Sequence, residues 1–204
     1  MKIYLIRHGD ADYDPAKRIQ GRVDGNLSAK GIKQAELLGR RLQMYNIRKI
    51  YCSSLTRVRQ TAEIIGRHTG IDCEIRDELM EIFLGKWEGL DTEGRKALDP
   101  GFYGKWERHT EDLPYPGGEC GEDVRKRSMK LIDHILDNNY SSTAVITSGG
   151  VIKILLSAFL DMRLERRFRI ETGNCGISIV EYDYEGRQFK ILAVNDTSHL
   201  ENMS

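Results

Sequence analysis

The chain has 204 residues, with 31 Lys plus Arg against 31 Asp plus Glu and a net charge of zero. That balance excludes a general attraction to nucleic acid or anionic membranes, so any anion site has to be a local cluster. The length suits a single domain over 1–204 with a sizeable core. No apolar run reaches membrane-spanning length and the start is too short for a signal peptide, so a cytoplasmic protein with no membrane or nucleic-acid partner is expected.

Ile3 to Ile6 is a short apolar run that reads as a buried strand, ending abruptly at Arg7-His8-Gly9. Gly9 permits a tight turn there and a close approach of backbone to a ligand. A polar stretch follows to Leu27, broken by Pro15, Gly21 and Gly25. Ser28 is placed to cap a helix running to about Tyr45, with Ile32, Ala35, Leu38 and Leu42 on one face. Lys49-Ile50-Tyr51-Cys52 reads as a second strand, and Ser53-Ser54 leads into a helix with Val58, Ala62 and Ile65 inward. Cys73 to Ile75 is a weak third strand. This β-α-β-α-β order predicts a largely parallel sheet covered by helices.

Periodicity lapses from Lys86 to Gly118, where Gly, Pro, Trp, Tyr and charged residues dominate. The stretch 86–118 is expected to be an inserted, partly helical lid. Its rings, Trp87, Phe102, Tyr103, Trp106 and Tyr115, suit either an apolar or ring-bearing leaving group or the lid's own core. A helix is predicted from Glu119 to about Asp137, then a buried strand over Thr143 to Thr147, then a short apolar helix from Val151 to Leu160. The end alternates as a hairpin, Gly176 to Tyr182 and Phe189 to Val194, around Glu185-Gly186. Cys52, Cys73, Cys120 and Cys175 are scattered without a Cys-x-x-Cys pair, which predicts reduced thiols.

Candidate site residues collect at strand ends, where ligands of parallel α/β sheets bind. Arg7 and His8 follow the first strand: a permanent cation beside an imidazole that is nucleophilic near neutral pH. Arg57 lies in the first turn of a helix after the second strand, Glu81 follows the third, and Ser148-Gly149-Gly150 follows the fourth. Each feature alone is an ordinary surface charge or turn. All of them along one sheet edge point to phosphoryl chemistry. The histidines His8, His68, His109, His134 and His199 show no metal-ligand spacing, so no metal or other cofactor is expected.

Across nearly its whole length the sequence resembles the histidine phosphatase (phosphoglycerate-mutase-like) superfamily. The resemblance is carried by Leu5 to Gly9, Arg18 to Asp24, Leu27-Ser28, Gly31 to Ala35, Ser53 to Arg57 with Gln60-Thr61-Ala62, Glu81 to Gly89, Pro116 to Glu119 and Asn195 to Leu200. It implies a three-layer α/β sandwich, a mostly parallel sheet with helices on both faces. It further implies that His8 is the nucleophile that becomes phosphohistidine and Glu81 the acid for the leaving oxygen. Arg7, Arg57 and Gln20 would hold the phosphate oxygens, with Gly21, Asp14, Ser148 and Gly149 completing the phosphate site. His68, His109 and His134 are expected at the surface, and His199 near the pocket. The short segment between Gly89 and Pro116 resembles the phosphatases more than the mutases, with α-ribazole and broad-specificity phosphatases as the nearest description.

Two positions depart from the family pattern. Ser148 stands where the family has a second histidine, and Asp14 where many members have asparagine. A serine donates one hydrogen bond but carries no charge, and loss of one transition-state donor typically slows such a reaction by about 10²–10³. The expected function is therefore a phosphomonoesterase acting on a small phosphorylated metabolite, slowed by Ser148. The alternatives are a phospho-ligand-binding or regulatory protein that has lost turnover, and a phosphoglycerate mutase.

Overall fold

The computed structural model describes residues 1–12, 19–201 and 203. Six strands are described, β1 (Lys2–Arg7), β2 (Lys49–Cys52), β3 (Cys73–Ile75), β4 (Ser142–Thr147), β5 (Ile177–Asp183) and β6 (Gln188–Asp196). They form one sheet in the order β3-β2-β4-β1-β5-β6. The pairs β1–β4, β2–β4 and β2–β3 are parallel, while β1–β5 and β5–β6 are antiparallel. The predicted hairpin thus supplies the antiparallel margin of an otherwise parallel sheet.

Successive β1 side chains go to opposite faces, as the strand period of two requires. Ile3 and Leu5 enter one core with α5 (Gly121–Asn138) and α6 (Gly149–Phe159). Tyr4 and Ile6 enter the other with α1 (Ala29–Leu42) and α2 (Thr56–Thr69). Both faces are covered, which explains why β1 and β4 read as unbroken apolar runs instead of alternating ones. Among the described residues no helix is long and apolar enough to cross a membrane.

Ser28 caps α1 as expected, accepting from the Gly31 amide at 3.0 Å and donating to Asp10 at 2.6 Å. Ile32, expected inward, is 46 % exposed instead. The buried face of α1 is rotated onto Gly31, Ala35, Leu38, Gly39 and Leu42. The glycines cause the rotation: a Cβ at Gly31 would strike the Asp10 carbonyl, and one at Gly39 the His68 ring. Helix packing this close accepts only hydrogen at those positions.

The segment 86–118 holds two short helices, α3 (Thr92–Leu98) and α4 (Pro100–Glu107). Its rings form their own cluster. Trp87 is fully buried, with the rings of Phe102, Tyr103, Trp106 and Tyr115 at centroid distances of 5.6, 5.8, 5.1 and 5.6 Å. The rings thus pack on one another, and Tyr115 also lines a cavity that holds Arg7, His8 and Glu81.

The four expected free thiols need correction: Cys52 and Cys73 form a disulfide, and only Cys120 and Cys175 are free. Parallel pairing of β2 with β3 brings residues 21 apart in sequence to a Cα–Cα distance of 6.3 Å, within disulfide reach. His68, His109 and His134 are half-buried rather than exposed. They hold to Glu36, to the Phe168 ring and to the Tyr51 ring edge, respectively.

Candidate active site

The sheet order puts the ends of β1, β4 and β2 side by side. The His8 amide donates to the Thr147 carbonyl at 3.0 Å, and the Ser53 amide to the Ile146 carbonyl at 3.3 Å. Residues from three distant parts of the sequence therefore meet at one edge. Behind them Gly9 lies so close to α1 that a Cβ would come 2.7 Å from the Gly31 carbonyl oxygen. Its amide donates to Thr61 Oγ1 at 3.1 Å, which locks the turn carrying His8.

His8 is 5 % exposed, and its Nδ1 lies 2.7 Å from the Gly9 carbonyl oxygen. A carbonyl only accepts, so the ring proton sits on Nδ1 and Nε2 carries the lone pair. Nε2 in turn receives the Arg57 Nε–H at 3.2 Å. Burial, then the Arg57 and Arg7 cations, push the His8 pKa down to about 3. The imidazole is consequently neutral at any physiological pH, a free base beside two fixed cations.

Arg57 is 1 % exposed and begins α2, as its sequence position predicts. Its guanidinium also donates to the Val23 and Gly21 carbonyls at 2.9 and 2.7 Å. Asp24, which accepts from the Thr56 amide, fastens this loop to the start of α2. Arg7 donates through Nη1 to the Thr172 carbonyl at 2.6 Å. Its buried Nε, like the buried Nε2 of Gln20, has no hydrogen-bond partner among the described residues. Buried donors without acceptors are rare and costly. Here Arg7 and Gln20 line one cavity of about 220 Å³ with His8, Gly21, Arg57 and Glu81.

Glu81 is held twice over. Its Oε1 accepts from the Ile82 amide at 2.8 Å and its Oε2 from the Gly150 amide at 3.2 Å. A Cβ at Gly150 would displace the carboxylate from this position. The Glu81 main-chain carbonyl accepts from Arg22 at 2.9 Å and Arg127 at 3.2 Å, and both arginines pair with Glu119. Burial pushes the Glu119 carboxyl up, but Arg127, the Phe83 amide and Arg22 outweigh it and leave its pKa lowered. This Arg22–Glu119–Arg127 clamp was missed from sequence in its role. Arg22 and Glu119 stand in family-like stretches, whereas Arg127 reads there as one more helix charge.

The remaining expected residues fall apart. Gly149 lines a second cavity rather than the first, with Arg7 Nε 3.4 Å from where its Cβ would be. Ser148 is fully buried, its Oγ has no partner among the described residues, and it lines neither cavity. His199 lines neither and sits beside Arg41. Asp14 lies outside the described residues. Among the described residues no group of three or more His, Cys, Asp or Glu side chains is arranged to hold a metal ion.

A family profile, "Histidine phosphatase superfamily (branch 1)", matches residues 3–197. A probable phosphoglycerate mutase, GpmB, of Salmonella choleraesuis is 29% identical over 205 residues, covering 98% of this chain and 95% of that protein. Among solved structures, Bacillus stearothermophilus YhfR is 32% identical with a TM-score of 0.87, covering 98% of this chain and 99% of its own. A mycobacterial glucosyl-3-phosphoglycerate phosphatase is 26% identical with a TM-score of 0.85, covering 95% of this chain and 98% of its own.

Proposed function

Because the chain belongs to the histidine phosphatase superfamily, we propose that it is a phosphomonoesterase for a small phosphorylated molecule, working through a phosphohistidine on His8. One observation carries the reading. Around a neutral imidazole whose Nε2 lone pair meets the Arg57 Nε–H, Arg7 Nε and Gln20 Nε2 are buried donors with no acceptor among the described residues. A phosphoryl group supplies oxygens to such donors, and a planar guanidinium suits it best.

In the proposed reaction Nε2 of His8 attacks phosphorus in line, so a P–N bond forms as the bond to the leaving oxygen breaks. Arg7, Arg57 and Gln20 hold the equatorial oxygens, where phosphoryl transfer needs charge stabilisation most. Glu81, entering as the carboxylic acid, gives its proton to the leaving oxygen. Water then attacks phosphorus and passes a proton to the Glu81 carboxylate, and the P–N bond breaks to release phosphate. Tyr115, from segment 86–118, lies on the cavity wall. The shortness of that segment favours hydrolysis over the mutase reaction, which keeps and reorients a bisphosphate.

A phospho-ligand-binding protein without turnover is the second reading, favoured by the uncharged Ser148. Brief exposure to labelled substrate separates the two. The phosphatase leaves an acid-labile, base-stable phosphoenzyme that His8→Ala abolishes. Label surviving in His8→Ala would sink the assignment, and no label in the parent protein would favour the binding protein.

A further inference from the structure

We propose that a cavity beside α2 and β3 is a thiol–disulfide exchange site. A low-molecular-weight thiol opens the Cys52–Cys73 bond there and loosens α2, the helix that carries Arg57. The exchange is independent of the phosphatase reading, whereas its effect on phosphate binding rests on it.

The cavity encloses about 720 Å³, within the range that holds a small organic molecule, and shares no wall residue with the cavity at His8. Its walls include Ala62 and Gly66 of α2 and both members of the disulfide, Cys52 and Cys73. The two cysteines are unequally placed. Cys52 is 1 % exposed, in the core under α1 and α2. Cys73 is half-buried, on the strand at the sheet margin. An incoming thiol therefore meets the Cys73 sulfur, and access selects which sulfur is attacked. Arg59 and Arg67 at this cavity already face Glu63 and Glu36, so the site makes no demand for an anion.

In the proposed step the thiolate of the small molecule attacks Sγ of Cys73. A new S–S bond forms to that sulfur as the Cys52–Cys73 bond breaks. Cys52 leaves with the electron pair and takes up a proton. A second molecule of the thiol then displaces the first as a symmetrical disulfide, and Cys73 is protonated in turn.

What the bond encloses gives the exchange its consequence. The loop from Cys52 to Cys73 contains the whole of α2, with Arg57 in the first turn of that helix. The non-covalent ties across the same junction are sparse. β3 is three residues long and Ile75 on it is 51 % exposed. The Arg76 amide donates to the Cys52 carbonyl at 2.8 Å, and Ser54 Oγ donates to Asp77 at 2.7 Å. A short margin strand with so little apolar burial opens more readily once its crosslink is gone. Glu81 keeps its own clamp of Arg22 and Arg127, so the change falls on phosphate affinity and leaves the fold standing.

The test exposes Cys52→Ser and Cys73→Ser to glutathione disulfide, with adducts mapped by mass spectrometry of peptides. Cys73 in the first variant should form its adduct at least fivefold faster than Cys52 in the second. A smaller ratio overturns the site. In the parent protein, purified without reductant, Cys52 and Cys73 should be linked, and both should be free after excess glutathione. Cysteines free from the start, or linked throughout, also overturn it, and this linkage decides should a variant not fold. Calorimetric titration with inorganic phosphate reads the effect on Arg57. Reduction should weaken phosphate binding at least threefold in the parent, while added glutathione should leave Cys73→Ser unchanged. A smaller change in the parent overturns the link to Arg57. If neither form of the parent binds phosphate, the reading of the His8 cavity fails instead, and the adduct rates still decide the exchange.

Discussion

The cavity at His8 and the segment over residues 86–118 lie against each other through Tyr115, yet they spend burial in opposite ways. In the cavity, polar groups are buried and left incomplete: Arg7 Nε and Gln20 Nε2 wait without acceptors, and His8 is held uncharged between cations. Burial pulls both guanidinium pKa values down, and the Glu81 carboxylate pulls them partly back. In the segment, burial is aromatic, with Trp87 ringed by four other rings and Arg95 over its face at 5.7 Å. Each large aromatic buried there contributes to stability without needing a ligand. The indole N–H groups of Trp87 and Trp106 are also buried without partners among the described residues, so the contrast is one of charge: the cavity buries cations that an anion completes, whereas the segment buries uncharged rings.

The largest effect is expected at Glu81, on the cavity side. Glu81→Gln keeps the shape and one of the two amide contacts, since its NH2 group cannot accept from the other, and it removes the acid. It should slow hydrolysis of ethyl phosphate by about 10²–10⁴, with a much smaller loss on nitrophenyl phosphate, whose leaving group needs little protonation. Equal losses measured on the two esters would make Glu81 a structural residue, as conformational as the rings opposite it.

On the other side, Trp87→Ala should lower the unfolding free energy by about 3–5 kcal/mol, the usual cost of emptying a buried tryptophan site. At about 2–4 °C per kcal/mol for a chain of this size, calorimetry should record a clear fall in Tm. Well below that Tm, turnover of ethyl phosphate should persist. If activity vanishes while the fold survives, the two regions are one functional unit and the contrast breaks.

The smallest effect concerns Ser148. Its sealed, unpartnered hydroxyl predicts that Ser148→Ala changes turnover little. Ser148→His tests that sealing: an imidazolium that reached the transferring group would raise kcat on an aryl phosphate at least tenfold, since a charge-assisted donor is worth about 1.5–3 kcal/mol and about 1.4 kcal/mol is tenfold in rate. Vanadate, which mimics the transferring group, would then bind more tightly as well, whereas a ring kept out of both cavities would leave kcat unchanged. A folded Ser148→His variant with neither gain would separate His8 from that position and favour the binding protein.

Much of this molecule is set by local chemistry and so was readable in the chain. The apolar run at Ile3–Ile6, the cap at Ser28, the β-α-β order and the alternating hairpin depend on dihedral preference and periodicity over a few residues. They place Arg7, His8, Arg57 and Glu81 near one sheet edge without further help. Other features depend on which distant surfaces meet. Ile32 faces outward because Gly31 and Gly39 admit close neighbours, and Cys52 finds Cys73 because β2 lies beside β3. The proton of His8 rests on Nδ1 because of the position of the Gly9 carbonyl, and the Glu81 backbone is gripped by Arg22 and Arg127 from far along the chain. Ser148 follows its strand as expected, yet only packing seals it away from both cavities. Periodicity fixes which face a residue joins, while distances of an ångström between side chains arise only when helices and strands close on one another.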